Sequence, residues 1–112
     1  MKFKVLIATA LLGIALSAAA DTKLIQKAYE VALSDLRLPQ EEGGALMFKA
    51  CDDCEYLRVR VGTGTIYRLN GQVMSLTKFR AALLGVENRE GQPVTVLHHL
   101  ELDLVTNVAV NL

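Results

Sequence analysis

The sequence predicts an α+β domain, an N-terminal helix followed by a small mixed or antiparallel sheet with one inserted helix. Three observations carry this expectation. Apolar residues over 22–38 recur at helical spacing, the period changes to two from Ala45 onward, and a second helical pattern at 75–84 interrupts the alternation once.

The first twenty residues speak of address. Lys2 and Lys4 precede an apolar run from Val5 to Leu16, and Ser17-Ala18-Ala19-Ala20 leads to Asp21. This is the pattern of a secretory signal peptide with cleavage after Ala20. Interrupted by Thr9, Gly13 and Ser17, the run is short for a membrane span, which needs about twenty apolar residues. The expected mature chain, 21–112, is then a single small domain, periplasmic or secreted, with no stable membrane span. The signal holds two of the twelve basic residues and none of the twelve acidic ones, so the mature net charge is −2. Nucleic-acid and anionic-membrane binders carry a pronounced basic excess, so neither partner is expected.

Thr22 is placed to cap the first helix, with Ile25, Ala28, Tyr29, Ala32, Leu33 and Leu36 on its apolar stripe. Pro39 ends it, because proline lacks an amide proton and disfavours helical geometry in Leu38. Gln40 to Gly44 is a polar linker, and Ala45 to Ala50 is a short strand. Glu55 to Val61 alternates cleanly, with Leu57, Val59 and Val61 on one face and Arg58 and Arg60 on the other. Gly62-Thr63-Gly64 predicts a turn into a separate strand, Thr65 to Leu69. Asn70-Gly71 is a hairpin signal, and Gln72 to Met74 is the return. Ser75 caps a helix through Leu84 that Gly85 stops. Glu87 to Gly91 is a charged turn. Val94 to Leu100 and Leu104 to Val110 read as strands, either joined by a reversal at 101–103 or fused into one long strand from Pro93.

Beyond the first helix the order is three strands, a helix and two strands, the connectivity of an OB-like five-stranded barrel. The stretch Thr65-x-Tyr67-x-Leu69-Asn70-Gly71, followed by Ser75-Leu76-x-x-Phe79-Arg80-x-Ala82-Leu83, resembles small exported bacterial proteins of uncharacterised function. That resemblance spans about residues 51–110, rests on turn, cap and core positions, and implies compartment without activity.

Cys51-Asp52-Asp53-Cys54 is the one chemical motif. A C-x-x-C pair serves thiol–disulfide exchange when a helix N-terminus or a cation stabilises the thiolate. Here Asp52, Asp53 and Glu55 crowd the sulfurs, and like charge raises a thiol pKa. A structural disulfide in a turn between two strands is therefore expected, with a periplasmic thiol-redox or metal-handling protein using Cys51 and Cys54 as the alternative. Glu55 stands where covalent haem attachment requires histidine. His98 or His99 would complete a three-ligand metal site with the thiolates, yet adjacent strand residues point to opposite faces. His98 falls in phase with the apolar face and His99 with solvent.

Arg58, Arg60 and Arg68, with Tyr67 or Tyr56 nearby, form the candidate ligand face, one that on a barrel of this kind takes oligonucleotides or sugars. Its simpler rendering is a solvated face paired with Glu55, Glu87 or Glu90. No catalytic, cofactor-binding or metal-binding residue is assigned, because no serine or threonine sits in a nucleophile elbow. The expectation is a small binding or interaction domain. The stripe of the helix at 22–37 is expected to pack on its own sheet, with homodimerisation through it as the alternative.

Overall fold

The computed structural model describes residues 25–112. The signal segment, its cleavage after Ala20 and the Thr22 cap lie outside the described residues. Among those residues no helix is long and apolar enough to cross a membrane.

The expected N-terminal helix is a strand, β1, Gln26–Ala32, followed by a 3-10 turn at Leu33–Asp35 and a short β2, Leu36–Arg37. The burial pattern shows why. Val31, off the helical stripe, is buried, whereas Ala28, on it, is exposed. Residues 29, 31 and 33 alternate inward, and all seven residues of β1 find antiparallel partners from His99 to Pro93. A ladder that satisfies every second backbone group and buries Val31 and Tyr29 overrides a helical pattern that would bury two alanines.

The remaining strands are β3, Ala45–Lys49; β4, Tyr56–Leu69; β5, Gln72–Met74; β6, Pro93–His99; and β7, Leu104–Val110. One helix, α1, Leu76–Leu84, lies between β5 and β6. The α+β expectation of a leading helix and a five-stranded OB-like barrel is thus corrected. Seven strands form one mixed sheet in the order β1-β6-β7-β4-β3-β2, with β5 paired to β4. Among the described residues only β4 and β7 run parallel. Because three residues join β1 at one end of this order to β2 at the other, the sheet curls, and the Tyr29 ring meets Phe48 with centroids 5.0 Å apart.

Gly62-Thr63-Gly64 is not a turn, since β4 runs through it. The register against β7 shifts between Val61 and Ile66, so β4 bulges there, as glycines inside a strand permit. Thr65, the one buried polar residue described, staples the bulge. Its Oγ1 accepts the Gly62 N–H at 3.0 Å and donates to the Val105 carbonyl at 2.6 Å. The Asn70-Gly71 turn forms as expected, with both residues at positive φ (53° and 83°). Ser75 accepts the Lys78 amide at the start of α1, and Gly85 follows its end. The C-terminal stretch is a hairpin rather than one long strand. Asp103 takes the left-handed conformation at φ 51°, which aspartate tolerates better than most residues.

The core is formed by Val59, Val61 and Tyr67 of β4, Val94 and Val96 of β6, and Val105, Val108 and Val110 of β7. Leu33, Leu36, Leu46 and Phe48 close it on one side, and Leu76, Phe79 and Leu83 of α1 on another.

Candidate functional site

The cysteine pair lies in the turn joining β3 to β4. Cys51 and Cys54 form a disulfide with Cα atoms 5.1 Å apart, and the Cys54 amide donates to the Cys51 carbonyl at 3.2 Å. A strand, not a helix, follows the pair, so the cysteines do not sit at a helix N-terminus that would stabilise a thiolate. Glu30, Asp35 and Asp52 line the cleft of about 310 Å³ that Cys51 borders, with Lys49 as its single cation. Three carboxylates beside one cation disfavour a thiolate, and the arrangement suits a structural crosslink. Replacing both cysteines by serine should cost up to about 2 kcal/mol through the lost loop constraint. Thermal melting with and without reductant measures this, and the circular dichroism of the sheet should persist.

The histidines serve the β6–β7 hairpin. His98 Nε2 donates to Asp103 Oδ1 at 2.8 Å, and His99 Nδ1 accepts the Leu102 amide at 3.2 Å. Among the described residues no group of three histidine, cysteine or carboxylate side chains is arranged to hold a metal.

The candidate ligand face divides. Arg58 and Arg60 project from β4 on the side opposite the buried Val59 and Val61. Across the ladder, Arg37, Met47 and Arg58 form one row over β2, β3 and β4, while Lys49 faces Tyr56 and Ala45 faces Arg60. The Tyr56 ring carries the Arg37 guanidinium 4.9 Å from its centroid and the Lys49 ammonium 5.4 Å away, both at cation–π distance. Arg68 lies apart, near the far end of β4 between Val73 and Ala109. Tyr67 is in the core. The expected partners Glu55, Glu87 and Glu90 do not pair with these cations. The one ion-pair contact among the described residues is His98–Asp103. Arg37, Lys49, Arg58 and Arg60 therefore share the outer face that carries Tyr56, and none of them is in an ion pair among those residues. Arg37 escapes a sequence reading that makes 22–37 helical, and Lys49 escapes one that does not pair the strand at 45–50 with Tyr56. Once Leu36 and Arg37 are read as a strand beside β3, alternation alone puts Arg37 on the outer face.

Tyr67 illustrates the cost of a polar tip in the core. Its ring packs on Phe79 with centroids 5.3 Å apart, and its hydroxyl is buried without a hydrogen-bond partner among the described residues. Burial, and secondarily the negative charge of Glu42, push its pKa from 10.0 up to about 12. The folded state holds the proton that the unfolded chain releases, so this contribution is complete below pH 10 and declines between about pH 10 and 12. Tyr67→Phe should stabilise the domain by about 1 kcal/mol, since an unpaired buried hydroxyl is removed. It should also flatten the alkaline decline in chemical denaturation measured at successive pH values.

No family model, no curated protein and no solved structure matches the chain.

Proposed function

We propose that the chain is an exported, non-catalytic binding domain, held at its β3–β4 turn by a structural disulfide, that takes an anionic ligand on the outer face of β2, β3 and β4. One observation carries this reading: Arg37, Lys49, Arg58 and Arg60 share the outer face that carries Tyr56, two of them at cation–π distance from its ring, and none is in an ion pair among the described residues. Neighbouring strands lie about 4.8 Å apart, so Arg37 and Arg58, two strands apart, are separated by roughly 10 Å at the backbone. That spacing suits an extended polyanion better than a point charge. Guanidiniums pair with carboxylate or sulfate groups in bidentate fashion, and the Tyr56 ring offers an apolar face for a sugar ring. The signal-like N-terminus supports an extracytoplasmic setting, where an oxidised Cys51–Cys54 pair persists. An acidic oligosaccharide is the ligand class that fits both the face and the compartment.

Calorimetric titration with oligogalacturonate and with dextran sulfate tests this. Affinity should fall with added salt, and the Arg58→Glu/Arg60→Glu double variant should lose at least about tenfold, the equivalent of 1.4 kcal/mol for lost charge-assisted contacts. Arg68→Glu, remote from the cluster, should bind normally. Equal binding by the double variant, or tighter binding of single-stranded DNA of matched charge, would overturn the assignment.

A further inference from the structure

A second site lies on the other side of Arg37, where the 3-10 turn and β2 meet the C-terminal end of α1. Leu36, Leu38 and Leu83 wall a cleft of about 220 Å³, and Arg37, Arg80 and Arg89 line it with them. No carboxylate lines the cleft, and none of the three guanidiniums is in an ion pair among the described residues. Arg89 is held in place, its Nη1 donating to the Leu83 carbonyl at the end of α1 at 2.7 Å. Arg80 reaches the Gln40 carbonyl from the opposite side at 3.4 Å. Leu84 stands on the rim 82 % exposed, the most exposed large apolar side chain described.

Leucine walls with three cations admit neither a plain hydrocarbon nor a plain anion well. A hydrocarbon leaves the guanidiniums uncompensated, and a small hydrophilic anion gains nothing from the leucines. We infer that this cleft binds a short-chain aliphatic carboxylate, with the chain against Leu36, Leu38 and Leu83 and the carboxylate held by Arg80 and Arg89. The volume fixes the length class. It lies below the roughly 300–1,000 Å³ of sites for drug-sized ligands, so a full lipid acyl tail is too large. Charge complementarity selects the head group, since guanidinium and carboxylate pair in bidentate geometry. The site goes beyond the polyanion face and shares only Arg37 with it.

Octanoate below its micelle concentration is the probe, followed by methyl NMR of the leucines in the full mature chain. Shifts should concentrate on Leu36, Leu38, Leu83 and Leu84, and octanol should bind at least about tenfold more weakly, as expected when a charge-assisted bond is missing. Arg80→Gln and Leu84→Glu, both at surface positions, should each weaken octanoate by a similar factor while the remaining spectrum is preserved. The Arg58→Glu/Arg60→Glu variant should bind octanoate normally, so failure of the polyanion face and failure of this site are told apart. The inference is overturned if octanoate shifts no cleft methyl, if octanol binds equally well, or if Arg80→Gln leaves the affinity unchanged. Tighter binding of N-acetyl-leucine would overturn it in favour of a peptide terminus. Light scattering that shows octanoate dissociating a dimer would overturn it in favour of a second copy of the chain.

Discussion

Leu33→Asp should leave the domain unfolded. Leu33 is 1 % exposed within its own chain, in the 3-10 turn that carries the chain from β1 to β2. Its amide donates to the Gln92 carbonyl at 2.9 Å, which docks the turn against the end of a second 3-10 turn, Arg89–Gly91, before β6. A carboxylate there would be desolvated beside Leu36, at the wall of the cleft that Arg37, Arg80 and Arg89 also line. Burying a charge costs several kcal/mol even beside a cation, and the leucine's own burial, about 1.5–3 kcal/mol, is lost as well. A domain of this size has roughly 5–10 kcal/mol of total stability, so the two losses together exceed or match it. Ile25→Asp is the control. That residue is 46 % exposed at the start of β1, and the substitution should change stability by no more than about 0.5 kcal/mol. Sedimentation and circular dichroism check both variants. A Leu33→Asp chain that stays folded while the native protein sediments as a dimer would mean that Leu33 is buried between subunits. The alternative of a homodimer through a helix at 22–37 has lost the helix it rested on, and Leu33 and Leu36 are buried within the chain itself.

That segment also shows where the sequence is legible and where it is not. Ile25, Ala28, Tyr29, Ala32, Leu33 and Leu36 satisfy a helical stripe, yet Tyr29, Val31 and Leu33 satisfy an alternating one. Periodicity within the segment does not choose between them; the choice is made by β6, whose partners lie 61 to 73 residues further along the chain and whose ladder β1 completes. The turn expected at Gly62-Thr63-Gly64 fails for a related reason. Glycine marks departure from a regular strand, but whether it departs as a turn or a bulge depends on β7, which continues past the interruption on the other side. Locally encoded features are read correctly. The Asn70-Gly71 hairpin, the Ser75 cap and the stop at Gly85 each follow from one or two residues whose backbone preference needs no distant partner. The site follows the same division. Arg58 and Arg60 are legible because alternation within β4 fixes their face. Tyr67 sits on the opposite phase from them, so it belongs to the core. Arg37 and Lys49 become neighbours of Tyr56 only once β2, β3 and β4 are aligned.

Phe79→Ala should be the most damaging truncation in the helix that covers the sheet, at about 3–5 kcal/mol. Phe79 is fully buried and, with Leu76 and Leu83, forms the inner face of α1. The other residues of the helix place no comparable apolar surface on the core, so the docking of α1 depends on these three. The variant also tests why Tyr67 is so weak an acid. The Phe79 ring packs directly on the Tyr67 ring, and its removal opens space beside a phenol whose hydroxyl has no partner among the described residues. Water entering that space would hydrate the hydroxyl and remove part of the burial that holds its pKa near 12, moving the titration back toward 10.0. Ultraviolet difference spectra from pH 9 upward follow tyrosinate formation, and the Tyr67→Phe background identifies which of the three tyrosines is responsible. An unchanged titration in a folded Phe79→Ala chain would show that the cavity stays dry and that the β-sheet alone buries the phenol. A downward shift together with the loss of stability would tie both to the same ring contact. Combining the two substitutions should then destabilise by more than the sum of the singles, because once water satisfies the hydroxyl its removal no longer stabilises.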